Sequence, residues 1–282
     1  MKKLFLIVCL VAFTYTASAQ IQTPQPSPSS KIEQKVGLTD VTLEFSRPGV
    51  KGRTIFGDLV PFGKVWRTGA NANTKISFST DVTVNGQTLK AGSYAIYTIP
   101  NKDKWEVMFY ADSNNWGTPR KWDDSKVVAK ATADVLPMPM KIETYTMTFD
   151  DITNNSAVIG ILWENTYVGV QFETPTEKGV MASIDKVMGG PSPNDYYAAA
   201  VYYKEQGKDI AKAVKWIDKA VKLTKDQPRF WFYRQQSLIH AKAGDKKGAI
   251  AAAKTSLELA TKAGNADYMK MNKDSLKEWG AL

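Results

Sequence analysis

ISFSTDVTVNGQTLKAGSYAIYTIP, residues 76–100, is the stretch that decides the fold. Ile76 and Phe78 alternate with serines, a period of two that puts one side of the chain in a core and the other in water. Val82-Thr83-Val84 then runs into Asn85-Gly86, a strong hairpin signal because a tight hairpin turn needs φ > 0 at its central residues. The return arm is Gln87-Thr88-Leu89. Ala91-Gly92 turns the chain into Tyr94–Ile99, which Pro100 ends. Outward from this core the same alternation recurs in Val41, Leu43 and Phe45, in Trp105, Val107 and Phe109, in Tyr145, Met147 and Phe149, and in Val168, Val170 and Phe172. Ala157–Trp163 is a continuous apolar run, the pattern of a strand buried on both faces. About eight short strands without helical periodicity predict an antiparallel β-sandwich over residues 31–174.

Beyond residue 174 the pattern changes. Pro175, Gly179, Gly189, Gly190, Pro191 and Pro193 make 175–193 a linker, with a short helical stretch near 182–188. Residues 194–282 read as Ala-, Lys- and Leu-rich helices over 198–203, 211–222, 230–241, 248–260 and 267–279. The fold class is therefore α+β, with a β-sandwich first and a helical region after it. Within the helices Gly207 and Gly244 are 37 residues apart, and Ala213 and Ala249 are 36 apart. Ala220 and Ser256 each follow seven residues later, while Tyr203 and His240 each precede a glycine by four. This resembles the tetratricopeptide repeat, in which small residues let paired helices approach and a glycine makes the turn. The resemblance implies a scaffold that docks a protein partner; a purely structural appendage is the alternative. Lys225-Asp226-Gln227 lengthens the loop before Pro228 beyond the usual repeat. His240 occupies a slot for a packing aromatic, so packing is favoured over catalysis.

The chain has 282 residues, 43% hydrophobic and 23% charged, which excludes disorder and a multi-span membrane protein. Lys2 and Lys3, the apolar run 4–13 and Ala17-Ser18-Ala19 form a signal peptide over residues 1–19, with Gln20 as the mature N-terminus. Residues 20–30 form a Pro-rich linker. Cys9 is the sole cysteine and lies inside the signal, so neither a disulfide nor a thiol nucleophile is expected after cleavage. The expectation is an exported protein, periplasmic or extracellular, with association with the outer membrane as an open alternative and no transmembrane segment once the signal is removed. One histidine is too few for typical zinc or di-metal sites, so no metal or cofactor is expected. Residues 20–175 carry 16 basic and 16 acidic side chains, while residues 176–282 carry 19 and 12, so the mature excess of positive charge is in the helices. Lys212, Lys215, Lys219 and Lys222 form a row at helical spacing, read either as a partner-binding stripe or as a solvated face. Nothing interleaves aromatic with basic residues as nucleic-acid binding would need, so nucleic acid is not expected as a partner.

Residues 46–74, SRPGVKGRTIFGDLVPFGKVWRTGANANT, hold three arginines, five glycines and two prolines. That density fixes an ordered loop. Arg47, Arg53 and Arg67 suit a carboxylate, phosphate or sulfate, which guanidinium groups bind bidentately. Trp66 offers a stacking face, and Asn71 and Asn73 offer amide hydrogen bonds. The competing reading is that the arginines pin the loop, through its carbonyls or through an acid such as Glu44 or Asp58. This stretch, with AGSYAIYTIP at 91–100, WEVMFY at 105–110 and NNWGT at 114–118, resembles a secreted bacterial family known as domain of unknown function 2911. The resemblance spans about residues 28–174. It implies an exported β-rich domain, frequent in Gram-negative bacteria and sometimes followed by helical repeats, and it supplies no activity, cofactor or catalytic residue.

Catalytic motifs are sparse. There is no G-x-S-x-G elbow and no P-loop. Asp112, Asp123, Asp124 and Glu164 beside Trp116, Trp122 and Trp163 leave a carboxylate-pair hydrolase as the least favoured reading. The expected function is an exported, non-catalytic binding or assembly protein of the bacterial envelope, with a protein partner for the helices and a small anionic ligand near Arg47, Arg53, Trp66, Arg67, Asn71 and Asn73. The alternative is a glycan-binding module using the tryptophans, Trp116 among them.

Overall fold

The structure is a computed structural model that describes residues 23–282. The signal peptide and the first residues of the linker lie outside the described residues. The chain divides between Thr176 and Glu177 into two compact units.

In the first unit the alternating stretches become strands β1 (Ser29–Val36), β2 (Thr39–Ser46), β3 (Thr74–Phe78), β4 (Val82–Val84), β5 (Gln87–Leu89), β6 (Gly92–Ile99), β7 (Lys104–Tyr110), β8 (Val127–Asp150) and β9 (Ser156–Glu173). They form one sheet in the order β1-β2-β3-β6-β7-β8-β9-β4-β5, with every neighbouring pair antiparallel. The Asn85-Gly86 turn sits where expected, with both residues at positive φ. The layers anticipated for a sandwich are halves of this one sheet. The first part of β8, through Asp134, pairs with β7, and the part from Val135 onward pairs with β9. The sheet thereby rolls over its own core, and Phe78 of β3 meets Phe172 of β9 with ring centroids 5.4 Å apart although the two strands are not neighbours. Leu43, Ile76, Phe109, Ile159, Val168 and Phe172 are all buried in that interior.

Three features differ from the sequence reading. Ser29 and Ser30, assigned to the linker, already pair with Ser46 and Phe45. Strand β8 begins eighteen residues before Tyr145, through an Ala129, Ala131, Ala133 alternation that is small but buried. The run Ala157–Trp163 is not covered on both faces: Val158 and Leu162 remain half-buried between buried neighbours. Gly160 is buried there because Thr148, Asp150 and Tyr167 occupy the space a side chain would need. Where β8 and β9 diverge, the Gln87 amide satisfies the open backbone of Lys130, donating to its carbonyl (2.8 Å) and accepting from its N–H (3.3 Å).

The second unit has six helices: α1 (Thr176–Val187), α2 (Pro193–Glu205), α3 (Ile210–Leu223), α4 (Phe230–Lys242), α5 (Lys246–Lys262) and α6 (Ala266–Glu278). Most of the segment read as a linker, 175–193, is thus helix α1. Side chains cap the later helices: Ser192 and Asp195 form a capping box on α2, and Asp209, Asp245 and Asn265 accept from the first-turn N–H groups of α3, α5 and α6. Gly207, Gly244 and Gly264 take positive φ just after α2, α4 and α5. Ala213, Ala220, Ala249 and Ser256 are fully buried, and the Tyr197 and Phe232 rings stack 4.5 Å apart.

Candidate functional site

The loop 47–73 between β2 and β3 is tied to the sheet at several points. Pro28 accepts from the Arg47 N–H (2.9 Å), Glu143 from the Val50 N–H (2.7 Å), and Trp66 exchanges two backbone bonds with Thr98 (2.7 and 2.9 Å). The arginines add to this anchoring. Arg47 donates to the Tyr145 carbonyl (2.9 Å) and the Thr146 hydroxyl (2.8 Å). Arg53 donates to the Val50 and Gly49 carbonyls of its own loop (3.0 and 2.6 Å), and Arg67 to the Asn71 carbonyl (3.2 Å). None of the three forms an ion pair among the described residues. The acids suggested as partners do not reach them: Glu44 pairs with Lys75 at 3.4 Å.

The candidate residues therefore serve three different purposes. Arg53, Trp66 and Arg67 line a cavity of about 330 Å³ together with Lys51, Leu59 and Trp163. Asn73 and Trp116 line a separate cavity of about 750 Å³. Arg47 and Asn71 line neither and hold the loop; the Asn71 amide donates to the Ser27 carbonyl (3.1 Å) and the Ser46 hydroxyl (3.4 Å).

Trp66 is not a free stacking face. It is half-buried in an aromatic cluster, stacked on Trp163 (6.0 Å, 15°) and edge-on to Trp105 (6.1 Å) and Tyr145 (5.6 Å), with its indole N–H on the Gly69 carbonyl (3.1 Å). Tyr145 is wholly buried, which drives its phenol well above the usual range, and its hydroxyl donates to the Thr68 carbonyl (2.8 Å). Trp163 was singled out only as a neighbour of carboxylates. It is among the residues that line the smaller cavity, and its indole Nε1 is buried without a hydrogen-bond partner. Lys51, Arg53 and Arg67 line the same cavity and pair with no carboxylate among the described residues. Glu143, beside the loop, accepts instead from the Lys51 backbone N–H (2.8 Å).

The family model described as "Protein of unknown function (DUF2911)" matches residues 27–172, more than half of the 282 residues. The chain belongs to the DUF2911 family. No curated protein and no solved structure matches it. The DUF2911 match runs from just before β1 almost to the end of β9 and contains the whole lining of the larger cavity and all but Pro26 of the smaller one.

In the DUF2911 domain three of the four carboxylates considered for hydrolysis have structural partners. Asp112 pairs with Lys126 (2.6 Å), and Asp124 accepts from the Trp122 indole (2.8 Å). Asp123 caps the 3-10 turn Asp124–Lys126 through the Ser125 hydroxyl and N–H (2.6 and 3.0 Å), which hold it below the usual carboxylate range. Glu164 sits at φ +55° in a break of the β8–β9 register. Tyr97 lies under the loop 111–118 with its hydroxyl on the Gly117 carbonyl (3.0 Å), and burial pushes it up to about 12. No cluster of histidine, cysteine or carboxylate groups suited to a metal ion occurs among the described residues.

In the helical unit Lys215, Lys219 and Lys222 are exposed on α3, and Lys212 lies over the Trp216 (5.1 Å) and Tyr203 (5.7 Å) rings. His240 does more than pack. Its Nε2 is 2.9 Å from Asp218 and its Nδ1 2.7 Å from Asp245, the cap of α5. Burial disfavours the imidazolium, but the two carboxylates together outweigh it and raise the histidine above its ordinary value.

Proposed function

We propose that this chain is an exported, non-catalytic binding and assembly protein of the bacterial envelope. The DUF2911 domain holds a small anionic ligand in the cavity beneath the Arg-rich loop. The observation that carries this is the meeting of Lys51, Arg53 and Arg67 at one cavity with no carboxylate paired to them. Fixed donors without an internal counter-charge suit a carboxylate, phosphate or sulfate.

The helical unit is a tetratricopeptide-like array that docks a protein partner. The recurrence of buried Ala213 and Ala249, of buried Ala220 and Ser256, and of left-handed Gly207 and Gly244 supports it. The exposed lysines Lys215, Lys219 and Lys222, with Lys212 beside them, form the docking face. Export rests on the signal-like residues 1–19. No helix among the described residues is long and apolar enough to cross a membrane.

Calorimetric titration with citrate and inorganic phosphate tests the cavity. Binding should weaken as salt rises and fall at least tenfold in Arg67→Met, whose melting should stay within a few degrees of wild type because the side chain gives up one hydrogen bond worth about 1 kcal/mol. Failure of both anions to bind, or collapse of Arg67→Met on heating, would overturn the assignment in favour of pure loop pinning.

A further inference from the structure

The larger cavity has a different chemical character from the smaller one. Its most conspicuous wall is Trp116, which is 80% exposed, more than any other large apolar side chain among the described residues. A lone exposed indole needs no explanation by itself. This one stands on a loop that is held with unusual thoroughness. The buried Asn73 amide donates to the Ser113 carbonyl (2.9 Å) and the Thr74 carbonyl (3.0 Å), and its oxygen accepts from the Asn115 N–H (2.6 Å). The Asn73 backbone N–H donates to the Asn115 carbonyl (3.0 Å). Lys75 reaches the Asn114 side chain (3.1 Å), and the Asn115 amide closes onto the Asp112 carbonyl (2.7 Å). On the far side of the tryptophan, Gly117 at φ +86° turns the chain beside the Arg67 guanidinium, where a side chain would meet Nη1 at 2.9 Å. The indole is thus presented to solvent from a fixed base.

The charges around it cancel. Lys75 pairs with Glu44 at 3.4 Å, and Lys31 pairs with Glu33. What remains along the walls is the hydroxyls of Ser29, Ser30, Ser46 and Ser113 and the amide of Asn114, the Asn73 amide being spent on the loop. A multiply charged ligand finds no unpaired cation here, and an apolar segment would strand the hydroxyls and the amide without water. A ligand with one apolar C–H face and a rim of neutral hydroxyls satisfies both the exposed ring and the polar walls.

We propose that the groove bounded by the start of β1, by β2 and by the loop 111–118 is a saccharide site, distinct from the anion cavity, in which a neutral pyranose lies against Trp116. Asn73 and Gly117 act as positioning residues, holding the loop so that the indole faces the groove.

The test is titration of the full mature chain with cellotetraose, chitotetraose and maltotetraose, followed by calorimetry and by saturation-transfer NMR. At least one should bind saturably, with little change between about 50 and about 500 mM salt, because no net charge is matched. Trp116→Ala should weaken that binding tenfold or more, Trp116→Tyr should retain part of it, and neither should shift the melting temperature by more than a degree or two, since the side chain is exposed. Excess citrate should leave saccharide binding intact, which separates this site from the anion cavity. Absence of saturable binding by all three sugars, or binding that Trp116→Ala leaves unchanged, would overturn the proposal.

Discussion

Replacing Asn73 with alanine measures how firmly one buried amide holds the loop 111–118. Asn73 is 6% exposed and contributes three side-chain hydrogen bonds, to Thr74, Ser113 and Asn115. Each such bond is worth about 1 kcal/mol net, so the substitution should destabilise the DUF2911 domain by about 3 kcal/mol. Against a total of roughly 5–15 kcal/mol that is a large share. For a unit of this size it corresponds to a fall of about 6–12 °C in melting temperature. The assay is differential scanning calorimetry of the mature chain, with amide hydrogen exchange to localise the change. Exchange should quicken across 111–118, where the Asn115 N–H loses its acceptor, while α2–α6 keep their protection. Asn73→Asp should be at least as destabilising as alanine, because it loses both donors and sets a buried carboxylate oxygen against the Thr74 and Ser113 carbonyls. A change below about 1 kcal/mol would refute the reasoning, since three well-formed bonds at a buried amide cannot be that weak.

Two further outcomes are expected. His240 is the single histidine of the chain, and its two carboxylate partners raise its pKa in the folded state. Its contribution is therefore complete below the unfolded value of about 6.5 and is lost as pH rises through the higher folded value, so the helical unit should melt at progressively lower temperature on going from weakly acidic to weakly alkaline solution, and His240→Gln should flatten that slope; a wild-type stability that rises over the same interval contradicts this. Affinity purification of the mature chain from envelope fractions should recover one stoichiometric protein, and charge reversal of Lys215, Lys219 and Lys222 to glutamate should release it; recovery unaffected by the reversal removes α3 as the docking face.

Much of the fold was legible because its determinants are local. The alternation of Ile76 with Phe78 and of Val82 with Val84, and the Asn85-Gly86 turn, each report a single strand or hairpin, and so do the helix-breaking glycines at 207, 244 and 264. Strand β8 was hidden in its first half because alanines 129, 131 and 133 carry little hydrophobic contrast, and because Pro137 and Pro139 read as breakers although they lie where the β8–β9 register is interrupted. That one sheet supplies both layers depends on how β8 changes partners at Asp134 and Val135, which no short pattern encodes. The site was harder to read. The composition of 46–74 pointed to an ordered loop with cationic groups, but hydrogen bonding alone separates Arg47, which grips β8, from Arg67, which lines a cavity. Trp66 and Trp163 are alike in sequence, and only packing shows which indole N–H is left unsatisfied.

The β4–β5 hairpin has a consequence for how the chain is made. Its attachment to the sheet runs through Thr83 opposite Glu173, the last residue of β9. Eighty-four residues must therefore follow Leu89 before the hairpin's backbone partner exists, and contacts so distant in sequence form late and slowly. Until then Val82, Val84 and Leu89, all destined for the core, stay unburied on a two-stranded hairpin that is barely stable alone. A nascent chain that ends short of residue 173 carries an open, apolar hairpin, and such exposed strands are prone to aggregate until β9 is made.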